Sequence, residues 1–134
     1  MNIFSQITNR FRKKPTTGVS NNLKKIIDRY GFGALLLSYG SDDPTILHSN
    51  KAHKKLTGYS NEDLVGQSCK IFHGKNTSQK VKREVEEDLK RGSFWHGTIV
   101  NYHKNGVGAS IDMTIFAICF EGKKYYVALK HISE

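Results

Sequence analysis

The apolar and polar positions of this chain predict short strands and helices in a definite order. Two early runs of leucine and isoleucine predict strands, and a Gly-Ser-Asp-Asp-Pro turn separates them. Three strands near the C-terminus are joined by an Asn-Gly turn, which is a strong hairpin signal, and by a Glu-Gly turn. The five predicted strands are 34–39, 45–49, 93–103, 108–120 and 123–132.

Helical signals fill the interval between the second and third strands. Three short helices precede one long helix, whose Val81, Val85 and Leu89 recur at four-residue spacing before Gly92 ends it. The four predicted helices are 50–56, 60–64, 67–72 and 77–91. This order predicts an α+β fold, a five-stranded antiparallel sheet with helices on one face.

Two more helices are predicted before the first strand. Residues 2–14 form an amphipathic pattern with a basic C-terminal end. The segment 20–30 is predicted to bury Leu23, Ile26 and Ile27. We therefore divide the chain into an N-terminal helical extension, 1–32, and a folded domain, 33–134.

Composition and charge narrow the classes of function. The 134 residues suit one domain, and the two cysteines form no disulfide framework, which favours a reducing, cytoplasmic setting. Residues 1–30 hold seven basic side chains and one acidic one, out of a net charge of +9. Such an arm permits binding to nucleic acid or to a membrane, but no nucleic-acid motif accompanies it and a solvated helix face is the favoured interpretation.

Motifs for catalysis and for metal binding are absent from the sequence. It contains no nucleophile elbow, P-loop or zinc-protease motif, so we expect no enzyme. No histidine pair has metal-ligand spacing, and His73 is the single candidate for a haem ligand. A binding or signalling domain is the remaining expectation.

Three stretches resemble the light-oxygen-voltage (LOV) branch of the PAS domains. The nonapeptide Gly66-Gln67-Ser68-Cys69-Lys70-Ile71-Phe72-His73-Gly74 is similar to the LOV signature. The run from Asn50 to Tyr59 resembles the N-x-A-F…L-T-G-Y pattern of PAS domains, and the stretch from Asn101 to Gly106 resembles the LOV strand end N-Y-R-K-D-G. The resemblance covers residues 33–134 and implies a PAS fold and flavin mononucleotide (FMN) as the cofactor.

The resemblance also implies roles for particular residues. Cys69 matches the cysteine that bonds to ring carbon C4a of the flavin, and Asn101 matches an asparagine that reads the ring edge. Lys70 stands for a phosphate-binding arginine, while His73 and Lys130 stand where the family has glutamines. Ile111 replaces the second edge-reading asparagine, and Glu86 replaces the second phosphate arginine.

These departures favour a sensory PAS module that acts through protein–protein interaction without the usual flavin site. Its partner would be a second copy or another protein, bound through the N-terminal helices and the sheet face. The alternatives are a blue-light receptor with FMN and a Cys69 adduct, or a sensor whose pocket is lined by Ile111, Met113 and Ala128. In the favoured interpretation Lys130 points to solvent, Cys69 packs as a small buried side chain, and Cys119 is structural.

Overall fold

The computed structural model describes residues 18–133, which contain one five-stranded antiparallel sheet. The sheet order is β2-β1-β5-β4-β3, so the C-terminal strand β5 lies at its centre. The strands are β1 (Gly33–Ser38), β2 (Ile46–Ser49), β3 (Trp95–Tyr102), β4 (Gly108–Phe120) and β5 (Lys123–Ile132). The predicted α+β class and the predicted order of elements are confirmed.

Each helix begins directly after a serine or asparagine whose side chain accepts a backbone N–H of the first turn. The helices are α1 (Asn21–Arg29), α2 (Lys51–Thr57), α3 (Asn61–Leu64), a 3-10 helix (Cys69–Phe72) and α4 (Gln79–Lys90). The capping residues are Ser20, Asn50, Ser60, Ser68 and Ser78. The helix predicted at residues 2–14 lies outside the described residues.

The sheet carries a separate apolar cluster on each face. On the inner face, Leu35 and Leu37 of β1 pack with Phe72 and with the apolar side of α4. On the outer face, Leu36 packs with α1 through Leu23 and Ile27. Because successive strand residues point to opposite faces, the leucines of β1 serve both clusters.

Two sequence expectations about buried apolar residues are corrected. Ile26 of α1 is 54% exposed, because Leu23 and Ile27, one turn apart, occupy the face that meets the sheet. Cys119, which was expected to be structural, is exposed near the hairpin end of β4, where it lies opposite Lys124. No helix among residues 18–133 is long and apolar enough to cross a membrane.

Candidate functional site

A cavity of about 430 Å³ lies between the inner face of the sheet and the helices. This volume falls within the range of small-molecule pockets, about 300–1,000 Å³. Its apolar lining comes mainly from the sheet and from the 3-10 helix, through Leu35, Leu37, Phe72, Met113, Ile115 and Ala128. We call this space the pocket.

Cys69 lies on the wall of the pocket, at the start of the 3-10 helix. The preceding segment is pinned to β2, because Ile46 N–H donates to Gln67 O at 2.8 Å and Gly66 N–H donates to Ile46 O at 2.9 Å. Gly66 takes a φ of +93°, a conformation that glycine adopts without steric cost. The signature segment thus fixes the thiol beside the pocket, where Cys69 is partly rather than fully buried.

Lys130 and Asn101 form the polar part of the pocket floor. Lys130 is 2% exposed and Asn101 is 4% exposed. The Nζ of Lys130 donates to Asn101 Oδ1 at 3.0 Å and lies 4.1 Å from the centre of the Phe72 ring. We call these three residues the floor.

The expectation that Lys130 points to solvent was wrong. Strand β5 keeps its register past this point, with Lys130 opposite Gly33 on one side and Met113 on the other. Ala128, two residues earlier, already faces the pocket, so the alternation of the strand turns Lys130 inward as well. No slip of register releases it.

Burial sets the protonation behaviour of the floor and of the thiol. Desolvation lowers the pKa of Lys130 to about 8, and the neighbouring Cys69 opposes that shift. Burial raises the pKa of the Cys69 thiol, while Lys130 acts in the opposite direction. At neutral pH the pocket therefore holds an ammonium group and an intact thiol.

A buried histidine, His53, and a half-buried one, His73, lie beside Phe72 of the floor, and only His73 was predicted to be a site residue. His53 of α2 stands where the PAS pattern has phenylalanine; it is fully buried, it packs against Phe72, and both its ring nitrogens lack a partner. Burial and then Lys130 lower its pKa well below the usual range. Burial lowers the pKa of His73 to about 4, with Lys82 the next cause, and its Nδ1 has no partner either. Both rings are neutral at pH 7.

The mouth of the pocket is rich in charge. Lys70, Lys82 and Arg83 line it together with Glu86 and Asp43. Lys70 Nζ lies 3.6 Å from Asp43 Oδ2, so its charge is partly compensated. The resemblance indicated only Lys70 and Glu86 at this place. Lys82 and Arg83 lie one turn before Glu86 on the same helix and bring two further cations to the opening, and their three- and four-residue spacing from Glu86 was the available signal.

The structure brings four of the five predicted cofactor-binding residues to the pocket wall or floor and the fifth, Lys70, to its mouth. Ile111 is not among the residues that line the pocket. It packs in the inner cluster and borders an adjoining cleft of about 200 Å³, which also touches Asn101. Among residues 18–133 no group of three metal-ligating side chains lies together.

Comparison with known proteins gives one family and several relatives. A family model described as a PAS domain matches residues 34–134. Blue-light-activated histidine kinase 2 of Erythrobacter litoralis is 25% identical over 91 residues, and phototropin-1A of Oryza sativa subsp. japonica is 30% identical over 61 residues. These matches cover 68% and 46% of this chain.

A solved LOV domain from a blue-light-activated histidine kinase of Erythrobacter litoralis has the same fold. It superposes with a TM-score of 0.71 at 23% identity and covers 78% of this chain and 97% of its own. The chain spans only 26% of the length of the first histidine kinase and 7% of the phototropin. The similarity is thus to the LOV domain and not to the remainder of those proteins.

Proposed function

This chain belongs to the PAS domain family, and we propose that it is a sensory domain of the LOV type that binds FMN in its pocket and responds to blue light. The observation that carries the proposal is the position of Cys69 on the wall of a ligand-sized pocket whose mouth carries Lys82 and Arg83. The similarity to blue-light receptors supports the same choice of ligand.

The residues of the pocket fit FMN, with substitutions. Apolar side chains on both sides suit a flat aromatic ring, and Asn101 and Lys130 offer donors to its carbonyl oxygens and ring nitrogens. Lys82 and Arg83 would hold the phosphate, and Arg83 can grip two oxygens. Bound FMN supplies absorption of blue light and, when excited, an acceptor for a thiol.

This chain's own contribution is to hold that thiol in place and keep it protonated. The bonds from Gly66 and Gln67 to β2 fix the backbone before Cys69. The raised pKa of Cys69 keeps the proton on sulfur at neutral pH, as an addition that transfers both sulfur and proton requires.

The first test is a visible absorption spectrum of the purified protein with FMN, before and after blue light. We expect a flavin band that bleaches and then recovers in the dark. Cys69→Ala should abolish the bleaching, whereas Cys119→Ala, which removes the exposed cysteine, should leave it unchanged. Bleaching that persists in Cys69→Ala contradicts the proposed adduct.

A second test addresses the mouth by comparing FMN with riboflavin, which lacks the phosphate. Arg83→Gln and Lys82→Gln should each lower the affinity for FMN about tenfold, because a charge-assisted hydrogen bond contributes about 1.5–3 kcal/mol. Riboflavin affinity should not change. Glu86→Gln is the matched control, and it should strengthen FMN binding because a repulsive carboxylate leaves the mouth.

The second candidate function is a PAS interaction module that binds no flavin. The observation in its favour is the replacement of two ring-reading amides by Ile111 and Lys130, which reduces the hydrogen bonds available to a flavin edge. A protein that stays colourless and takes up no FMN in titration calorimetry would select this candidate.

For either candidate we propose that output passes to a protein, either a second copy or another chain. Strand β5 carries Lys130 into the pocket and presents the next residue, His131, on the outer face against Phe32. Sedimentation of the full chain and of a form without residues 1–14 tests whether that segment supports a dimer.

Binding of the basic arm, residues 1–30, to nucleic acid or to a membrane stays a prediction of the sequence.

A further inference from the structure

We propose that the floor of the pocket is an anion-binding subsite, which takes the negatively charged head of a ligand with an apolar body. The subsite consists of Lys130, Asn101 and Phe72. It rests on the pocket itself and does not require that FMN be the ligand. A medium-chain carboxylate is the chemical class that we commit to.

The charge of Lys130 lacks a counter-charge. Among residues 18–133, no carboxylate lies within 4 Å of its Nζ, and its one hydrogen bond goes to the neutral amide oxygen of Asn101. The face of Phe72 offers only a weak attraction. A buried cation with so little compensation is costly, and an anionic ligand would remove that cost.

Most of the unused hydrogen-bonding capacity of the floor belongs to donors. Lys130 has three N–H groups and gives one to Asn101, so two remain. Asn101 uses its oxygen for that bond, so its amide N–H groups remain. A carboxylate, which carries acceptors only when ionised, matches this excess of donors and also brings the negative charge that Lys130 lacks.

The surroundings of the floor indicate the rest of the ligand. Above it the walls are apolar, from Leu35, Leu37, Met113 and Ala128. A chain of several carbons would bury its apolar surface there, which favours binding in proportion to the area removed from water. The neighbouring titratable groups are Cys69 of the 3-10 helix, His53 of α2, and His73, and none of them brings a negative charge at neutral pH.

The experiment compares octanoate with 1-octanol, which has the same chain and an uncharged head, by titration calorimetry of the full chain without flavin. At pH 6.5 we expect octanoate to bind at least about tenfold more tightly, from one charge-assisted hydrogen bond. Equal affinities would overturn the proposal, and so would the absence of octanoate binding.

Two variants show which cation causes the preference for octanoate over 1-octanol. Lys130→Gln, which keeps a hydrogen-bonding group in the floor, should reduce the octanoate preference to about twofold or less, since the charge is gone. Lys82→Gln, which removes a cation from the mouth, should leave the preference intact. The opposite pattern would assign the carboxylate to the mouth and overturn the floor subsite.

The pH dependence provides an independent readout. Lys130 binds an anion in its protonated form, so the octanoate preference should be present at pH 6.5 and lost as the pH rises beyond the pKa of Lys130, which the bound anion itself raises above 8. Failure of this proposal is distinct from failure of the light-sensing one. An octanoate preference without flavin uptake removes only the latter, and a bleaching flavin protein without that preference removes only the former.

Discussion

The same strands form a packed apolar cluster on the outer face of the sheet and a ligand-sized pocket on the inner face. The outer face is covered by α1 over β1 and β2, and the cluster there is filled with apolar side chains such as Leu36, Tyr125 and Val127. The inner face is covered by three short helices and by α4, which together leave a pocket, and a lysine without a counter-ion lies in its floor. The outer cluster follows the rule that interiors are packed densely, and the inner one departs from it at the pocket.

Strand β5 shows the difference within a few residues. Val127 belongs to the outer cluster, Ala128 lines the pocket, and Lys130 enters the floor. A strand that only had to stabilise the fold would place an apolar residue at position 130. The departure from that pattern identifies the inner face as the functional side.

The largest expected effect comes from breaking the connection between the two faces at Asn50. Its side chain donates to the carbonyl oxygens of Ile27, Tyr30 and Phe32, and it accepts from the N–H groups of Ala34 and His53. Asn50→Ala removes an N-cap and leaves buried backbone groups unpaired, so we expect a loss of about 3–5 kcal/mol in the free energy of unfolding. Urea denaturation monitored by circular dichroism measures it.

Asn50→Asp separates the two roles of this residue. Aspartate keeps the acceptor that caps α2, but it loses the donors that hold the end of α1. We expect hydrogen exchange in residues 21–29 to accelerate more than exchange in residues 51–57. Equal acceleration in both helices would show that Asn50 does not hold α1 separately from α2.

The next effect compares adjacent leucines of β1. Leu36 faces the filled outer cluster and Leu35 lines the pocket, although both are fully buried. Leu36→Ala should cost about 3–4 kcal/mol, and Leu35→Ala about 2 kcal/mol, because a side chain beside an existing void loses fewer contacts. Thermal or urea unfolding of both variants tests the order, and a larger loss at Leu35 would show that the pocket is closed in solution.

Much of this architecture is accessible from the sequence. The strands follow from short apolar runs bounded by glycine turns, and the helix starts follow from Ser60, Ser78 and their equivalents, since these signals are local. The place of Cys69 on the pocket wall is also predictable, because the LOV-like segment carries it intact. Local chemistry thus determines most of the elements and one wall of the site.

The contents of the pocket could not be predicted in the same way. Lys130 was assigned to solvent because a buried ammonium group without a carboxylate is rare, and that general preference outweighed the alternation of β5. His53 was overlooked because a histidine in place of phenylalanine changes no periodicity. Both residues depend on tertiary contacts with Phe72, which no local pattern contains.

A substitution at Lys130 also distinguishes the two faces of the sheet, because replacing this buried cation should stabilise the protein. Its pKa is lowered from 10.5 to about 8, so at pH 7 the folded state holds a proton at a cost. Lys130→Met removes that cost and should add about 2 kcal/mol to the free energy of unfolding at pH 7.

The pH dependence of that gain gives its own check. Between pH 8 and 10.5 the unfolded chain binds more protons at this position than the folded one, so the wild type gains stability as the pH rises. The advantage of Lys130→Met should therefore shrink towards pH 10.5. A variant that is less stable than the wild type at pH 7 would show that Lys130 is better compensated than its contacts suggest.

The smallest expected effect concerns acid and His73. Its pKa of about 4 lies below the usual 6.5, so on acidification the unfolded chain takes up a proton before the folded one does. The contribution of His73 to the free energy of unfolding should be fully present above pH 6.5. It should fall by about 1 kcal/mol towards pH 5, a value that allows for the partial exposure of the ring. His73→Gln should flatten the wild-type slope of unfolding free energy between pH 5 and 7 without removing it, since His53 in the inner layer is neutral for the same reason. An unchanged slope would mean that His73 is hydrated in the folded protein, so that only the more deeply buried His53 is kept neutral by burial.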